Sequence, residues 1–139
     1  MLRRLRAWRR RLQARPPRRD VDELLQVARQ SFVRLQAAWD AADLHALAAL
    51  TTEPLMDELR DQLAARGPGP NCTEVLSLDA RLLGIDELQE AFIASVEFSG
   101  LIRERIDAGA APFRELWMLA KLKQEAGRGW QLARVQALT

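Results

Sequence analysis

The chain has one cysteine, Cys72, and one histidine, His45. A lone thiol cannot form an internal disulfide, so a reducing compartment is the expected setting. No cluster of residues has metal-ligand spacing, and no glycine-rich loop is built to cradle phosphate. Gly67-Pro68-Gly69-Pro70 is a turn signal rather than a nucleotide site. No apolar run approaches the ~20 residues that span a bilayer. The N-terminus lacks the apolar core of roughly 7–15 residues that defines a secretory signal. It is arginine-rich like a mitochondrial presequence but has no serine. Acidic residues are also missing from the first nineteen positions.

What those nineteen positions do hold is arginine: Arg3, Arg4, Arg6, Arg9, Arg10, Arg11, Arg15, Arg18 and Arg19. The other 120 residues carry 12 basic and 19 acidic side chains, a net charge of −7. The chain's overall charge of +2 therefore joins a strongly basic arm to an acidic body. Such asymmetry points to an arm that seeks an anionic surface and a domain that acts there. About 120 residues suffice for one domain with its own core. The heavy use of Ala, Leu and Arg fits a GC-rich bacterial genome.

Within the arm, Leu2, Leu5, Trp8 and Leu12 recur at spacings of three, three and four. At about 100° per residue they form one apolar stripe, with most arginines outside it. The expectation is a helix lying on a membrane surface. Its stripe enters the headgroup boundary, and Arg3, Arg4, Arg6, Arg9, Arg10 and Arg11 meet anionic phospholipid. A solubilising tail is the plainer reading. RNA phosphates would attract the same arginines, but a single aromatic offers little base stacking, so nucleic acid fits less well. Pro16-Pro17 ends the arm and opens a stiff linker over residues 15–19.

The body, residues 20–139, reads as helices followed by strands. Asp20 and Glu23 stand at capping-box spacing. Leu25, Ala28, Phe32, Leu35 and Trp39 then trace an amphipathic helix of about five turns. Asp43 caps a short helix through Leu44, Leu47 and Leu50. Thr52 caps a third, with Pro54 in its first turn and Leu55, Met56, Leu59 and Leu63 as its stripe. Gly67 and Pro68 end it. The period then shifts to two. The core-facing sets are expected to be Leu76, Leu78, Ala80 and Leu82, then Phe92, Ala94, Val96 and Phe98, then Leu116, Met118, Ala120 and Leu122. A last strand covers residues 130–138. Strand three is apolar on both faces, so Phe113, Trp117 and Leu119 are expected on an outer face that is covered, either by another chain (a protein partner or a second copy in a homodimer) or by the chain's own terminus. The fold class is α+β, with three N-terminal helices packed on a curved four-stranded antiparallel sheet.

Several runs carry a family resemblance. They are Phe32 to Leu44 with Trp39-Asp40 and Asp43, Thr52-Glu53-Pro54 through Arg66-Gly67, Phe98-Ser99-Gly100 through Glu104, Pro112-Phe113 through Trp117, and Gly129-Trp130 through Gln136. In order and spacing, the body resembles the Tim44-like domain family, and its bacterial members in particular. The resemblance implies a cone of the cystatin and nuclear-transport-factor-two-like type and a peripheral inner-membrane location. In mitochondria the named member of that family anchors a DnaK-type chaperone at the presequence translocase, and a relative belongs to the large ribosomal subunit. Many bacterial members carry an upstream spanning segment that has no counterpart in this sequence, which leaves the arm as the visible attachment.

Little in the sequence suggests chemistry. His45 sits on a short helix among acids, Cys72 has no histidine near it in sequence, and Asp79 and Glu97 have Arg81 and Arg103 as cross-strand partners. No cofactor is expected. Phe32, Trp39, Phe92, Phe98 and Trp130 are candidates to line an apolar pocket for an acyl chain or a hydrophobic peptide, with an ordinary core as the plainer reading. The expected function is a non-enzymatic adaptor at the cytoplasmic face of a bacterial inner membrane, binding lipid through the arm and a protein partner or acyl chain through the domain. The alternatives are a ribosome- or RNA-associated protein and an enzyme of the same fold. An ionisable pair sharing hydrogen bonds in the pocket would mark the last.

Overall fold

A computed structural model describes residues 18–67, 72–104 and 109–138. The arm's Leu2 to Leu12 lie outside them. Three helices come first: α1 (Arg18–Asp40), α2 (Leu44–Leu50) and α3 (Glu53–Arg66). Four strands follow: β1 (Glu74–Glu87), β2 (Ala91–Arg103), β3 (Ala111–Leu122) and β4 (Gln131–Ala137). A 3-10 segment, Lys123–Arg128, joins the last two. The strands form one antiparallel sheet in the order β1-β2-β3-β4.

α1 already includes Arg18 and Arg19, so the stiff linker expected over 15–19 does not extend that far. Asp20 lies in the first turn rather than at the cap. The buried face of α1 is Leu24, Ala28, Phe32, Leu35 and Ala38, with Leu25 and Trp39 at its margins. Asp43 caps α2, its Oδ1 accepting from the Ala46 N–H at 3.1 Å. Thr52 holds the N-cap position of α3 without a side-chain bond. Gly67 closes α3 at φ +82°, donating its N–H to the Leu63 carbonyl at 3.1 Å.

In β1 a bulge between Val75 and Ser77 turns Leu76 outward, where it is exposed. Val75, Leu78, Ala80, Leu82 and Ile85 take the half-buried positions instead. The bulge rests on Gly100 of β2. A Cβ there would stand 2.1 Å from the Ser77 carbonyl oxygen, so only glycine permits the approach. The Ser77 hydroxyl accepts from the Leu101 N–H at 3.1 Å.

The expected facing of β3 is inverted. Trp117 and Leu119 are buried, and Phe113 packs on the same core, while Leu116 and Met118 lie on the opposite face. Register is the reason. Trp117 pairs directly with Val96, and directly opposed residues share a face, so the fully buried Val96 carries Trp117 inward with it. Phe113, Trp117 and Leu119 are thus core rather than a partner-binding face.

Phe32 is the hub of that core. Its ring centroid lies 4.9 Å from Phe98, 5.4 Å from Phe113 and 5.0 Å from Trp117, while Phe98 meets Trp117 edge-on at 5.0 Å. Each such pair contributes roughly 0.5–1.5 kcal/mol beyond its buried area. β4 closes the fold against the helices. Leu132 accepts from the Thr52 N–H at 2.9 Å, and the buried Gln131 amide donates to the Thr51 carbonyl at 3.1 Å.

Candidate functional site

The stacked rings fill the space where an apolar pocket was expected. Phe32 and Phe98 belong to the solid core. Phe92 lies half-buried beneath Lys123, whose Nζ is 5.0 Å from its ring centroid. Trp130 packs at the core's margin. Trp39, by contrast, borders open space. The physical reason is that Phe113 and Trp117, facing inward, occupy the volume that an outward-facing Trp117 would have left.

The open space is a cavity of about 360 Å³ where the C-terminal ends of α1 and α3 meet the sheet. α1 contributes Gln36 and Trp39 to its wall, and α3 contributes Arg66. The sheet side contributes Thr73 just before β1, Ile102 near the end of β2, Glu104 just after it, and Glu115 from β3. The walls are predominantly polar, unlike those of an acyl-chain tunnel.

Glu115 stands between Phe113 and Trp117 on the inward-facing register and opposite Phe98, so the sheet turns a carboxylate toward the core. Burial pushes its carboxyl above the ordinary value, and a hydrogen bond from Trp117 Nε1 at 3.2 Å acts in the opposite sense. Arg66 lines the facing wall. Its Nη1 donates to the Trp39 carbonyl at 2.8 Å, and its Cζ lies 5.2 Å from the Trp39 ring centroid. Its Nε is buried and has no hydrogen-bond partner among the described residues. Asp40, at the end of α1, anchors the start of β1, accepting from the Thr73 N–H at 2.6 Å and the Thr73 hydroxyl at 3.1 Å.

The sequence reading missed Glu115 because it placed Trp117 on the outer face. The signal was available: Glu115 lies two residues from both Phe113 and Trp117, so whichever face takes those rings takes the acid as well. Glu115 bonds an indole and Arg66 a backbone carbonyl, and neither shares a hydrogen bond with another ionisable group of the wall. The site can therefore hold a charged or hydrogen-bonding group, but among the described residues it has no assembled acid–base pair.

On the sheet's other face, Glu97 bridges Arg114 at 3.1 Å and Arg81 at 3.3 Å. The hydrogen bond from Arg114, together with the two positive charges, lowers the Glu97 carboxyl below its ordinary value. Arg103, the other cross-strand arginine considered, pairs with Glu74 at 3.4 Å. His45 and Cys72 are both exposed. Among the described residues, no group of three His, Cys, Asp or Glu side chains is placed to hold a metal ion, and no helix is long and apolar enough to cross a membrane.

No curated protein sequence is significantly similar to the chain. Among solved structures, the intermembrane space region of the chloroplast protein ARC6 superposes with a TM-score of 0.55 at 12% identity, over 83% of this chain and 96% of that one. A conserved protein from Planctomyces limnophilus DSM 3776 aligns with a TM-score of 0.44 at 14% identity, over 86% and 99%. The first likeness supports the arrangement of three helices on an antiparallel four-stranded sheet. The model of the Tim44-like domain matches residues 6–137, beginning inside the basic arm. By that match, and with the α+β fold the family resemblance implied, the chain belongs to the Tim44-like domain family.

Proposed function

We propose that this protein is a non-enzymatic, membrane-peripheral scaffold whose arm binds anionic phospholipid while the folded domain holds a protein partner. The family is a membrane-associated one and suggests a scaffold role. The observation that carries the finer reading is the arm itself, with nine arginines in nineteen residues around a Leu2, Leu5, Trp8, Leu12 stripe. Each basic residue near an anionic leaflet contributes about 1 kcal/mol. The stripe is short, so electrostatics dominate and salt weakens attachment. The polar cavity walls and the filled aromatic core support a protein partner over an acyl chain. The Ala-, Leu- and Arg-rich composition supports a bacterial inner membrane, and the single cysteine supports its cytoplasmic side.

Co-sedimentation with vesicles tests the reading. Full-length protein is expected to bind anionic vesicles and not zwitterionic ones. Replacing Arg3, Arg4, Arg6, Arg9, Arg10 and Arg11 by Gln is expected to weaken binding at least tenfold. Equal binding to both vesicle types, or no effect of the replacements, would sink it. RNA binding that survives salt at which vesicle binding is lost would favour an RNA-associated role instead.

A further inference from the structure

We propose that the cavity between Trp39 and Glu115 is the docking site for this chain's own arginine arm, and that an arginine of the run Arg9–Arg11 enters it when no anionic surface is present. The docking stands on the cavity. Its consequence, competition between cavity and membrane for the arm, rests on the lipid-binding reading above.

The cavity suits a guanidinium. Two carboxylates lie on its wall, Glu104 at an exposed position and Glu115 on the inward register of β3. The Gln36 amide and the Thr73 hydroxyl add neutral acceptors. A guanidinium presents five N–H donors in a plane and is weakly hydrated, so it loses less than an ammonium on entering a half-buried site. The wall's own cation, Arg66, is directed elsewhere, onto the Trp39 ring and carbonyl. Glu115 has an uncharged hydrogen-bond donor, the Trp117 indole, and no ion-pair partner among the described residues. Burial favours its protonated form. An entering guanidinium would reverse that preference, because a nearby positive charge favours the ionised carboxyl.

Reach and charge single out the arm. Gln36 lies eighteen residues beyond Arg18 along α1, which is roughly 27 Å at 1.5 Å per residue. An extended chain covers about 3.3 Å per residue. Running back along α1 from residue 17 therefore takes roughly eight residues and ends near Arg9. Residues 1–17 carry seven arginines and no acid, against a net charge of −7 for residues 20–139. The tether keeps the arm at high effective concentration near the cavity, so weak individual contacts suffice. An arm extended into the cavity cannot also lie as a helix on lipid, so the two sites exclude each other. The membrane would then release the cavity for a partner by taking the arm.

Cys72 adjoins the cavity-lining Thr73, is exposed, and is the chain's one cysteine, so a nitroxide there reports on the site. In full-length protein without vesicles, the label is expected to broaden the Trp8 indole N–H and neighbouring arm resonances. The broadening should fade as NaCl is raised and should be lost in the double variant E104Q/E115Q. That variant, with its arm released, is expected to bind anionic vesicles at least threefold more tightly than wild type. Broadening equal in wild type and variant would overturn docking. So would broadening seen only when labelled and isotope-enriched molecules are mixed, which would place the arm on a second copy. Intact broadening in a protein that fails to bind vesicles would uphold docking and refute the lipid reading alone.

Discussion

The Arg66 guanidinium carbon stands 5.2 Å from the Trp39 ring centroid, and its Nη1 donates to the Trp39 carbonyl at 2.8 Å. One side chain thereby ties the end of α3 to the end of α1 and forms one wall of the cavity. The ring contact and the charged hydrogen bond together predict that R66A destabilises the fold by about 1–2 kcal/mol. R66K should retain part of this, since an ammonium keeps the charge but loses the planar face. Urea unfolding measures both. A loss below about 0.3 kcal/mol in R66A would show that the contact contributes nothing to stability.

The inverted facing of β3 is testable by paired truncation. W117A removes the buried partner of Phe32 and Phe98 and should cost about 3–5 kcal/mol, enough to unfold a marginal domain. M118A, on the other face, should cost less than about 1 kcal/mol. Equal losses would contradict the register.

Gly100 is the position where backbone approach decides the residue. G100A places a methyl 2.1 Å from the Ser77 carbonyl oxygen, which forces the β1 bulge apart. A loss of at least about 2 kcal/mol is expected. Hydrogen exchange should quicken at Leu101, whose N–H donates to the Ser77 hydroxyl. Unchanged protection there would disprove the coupling.

The two shifted carboxyls give opposite pH signatures. Glu115 is raised, so between its ordinary 4.5 and its higher folded value the native state keeps a proton that the unfolded state has released. Its contribution to stability therefore falls as pH rises through that window. In a background with the arm arginines replaced by Gln, so that no arm guanidinium sits beside Glu115, E115Q should remove this fall and be the more stable protein at neutral pH, with no advantage below pH 4.5. Glu97 is lowered from 4.5, so its contribution is present above that pH and is lost as pH falls through its lower folded value. E97Q should flatten the acid limb instead. Urea midpoints across pH 2.5–7.5 separate the two. Parallel profiles with and without E115Q in that background would rule out the raised carboxyl.

Much of the helical layer was legible because its signals are local. Asp43 caps α2 through a side-chain bond three residues away, Gly67 ends α3 through its own positive φ, and Phe32 and Leu35 repeat at the helical period. β2 was legible too, since Val96 and Phe98 alternate with Ser95 and Glu97 and only one facing buries apolar surface. β3 was not, because Phe113, Trp117 and Leu119 on one parity and Leu116 and Met118 on the other are both apolar. β1 failed at Leu76 because a bulge changes parity, and that bulge depends on Gly100, more than twenty residues away.

By itself the sequence determined the division of charge between arm and body and the order of helices before strands, since both lie in composition and short-range spacing, and it carried the motifs by which the chain resembles its family. Tertiary structure decided which side of β3 is core, and with it the filling of the apolar pocket, the inward carboxyl of Glu115 and the polar cavity beside Trp39. Pairing with Val96 fixes every side chain of β3 at once, because a strand alternates with period two and a one-residue slip exchanges its faces.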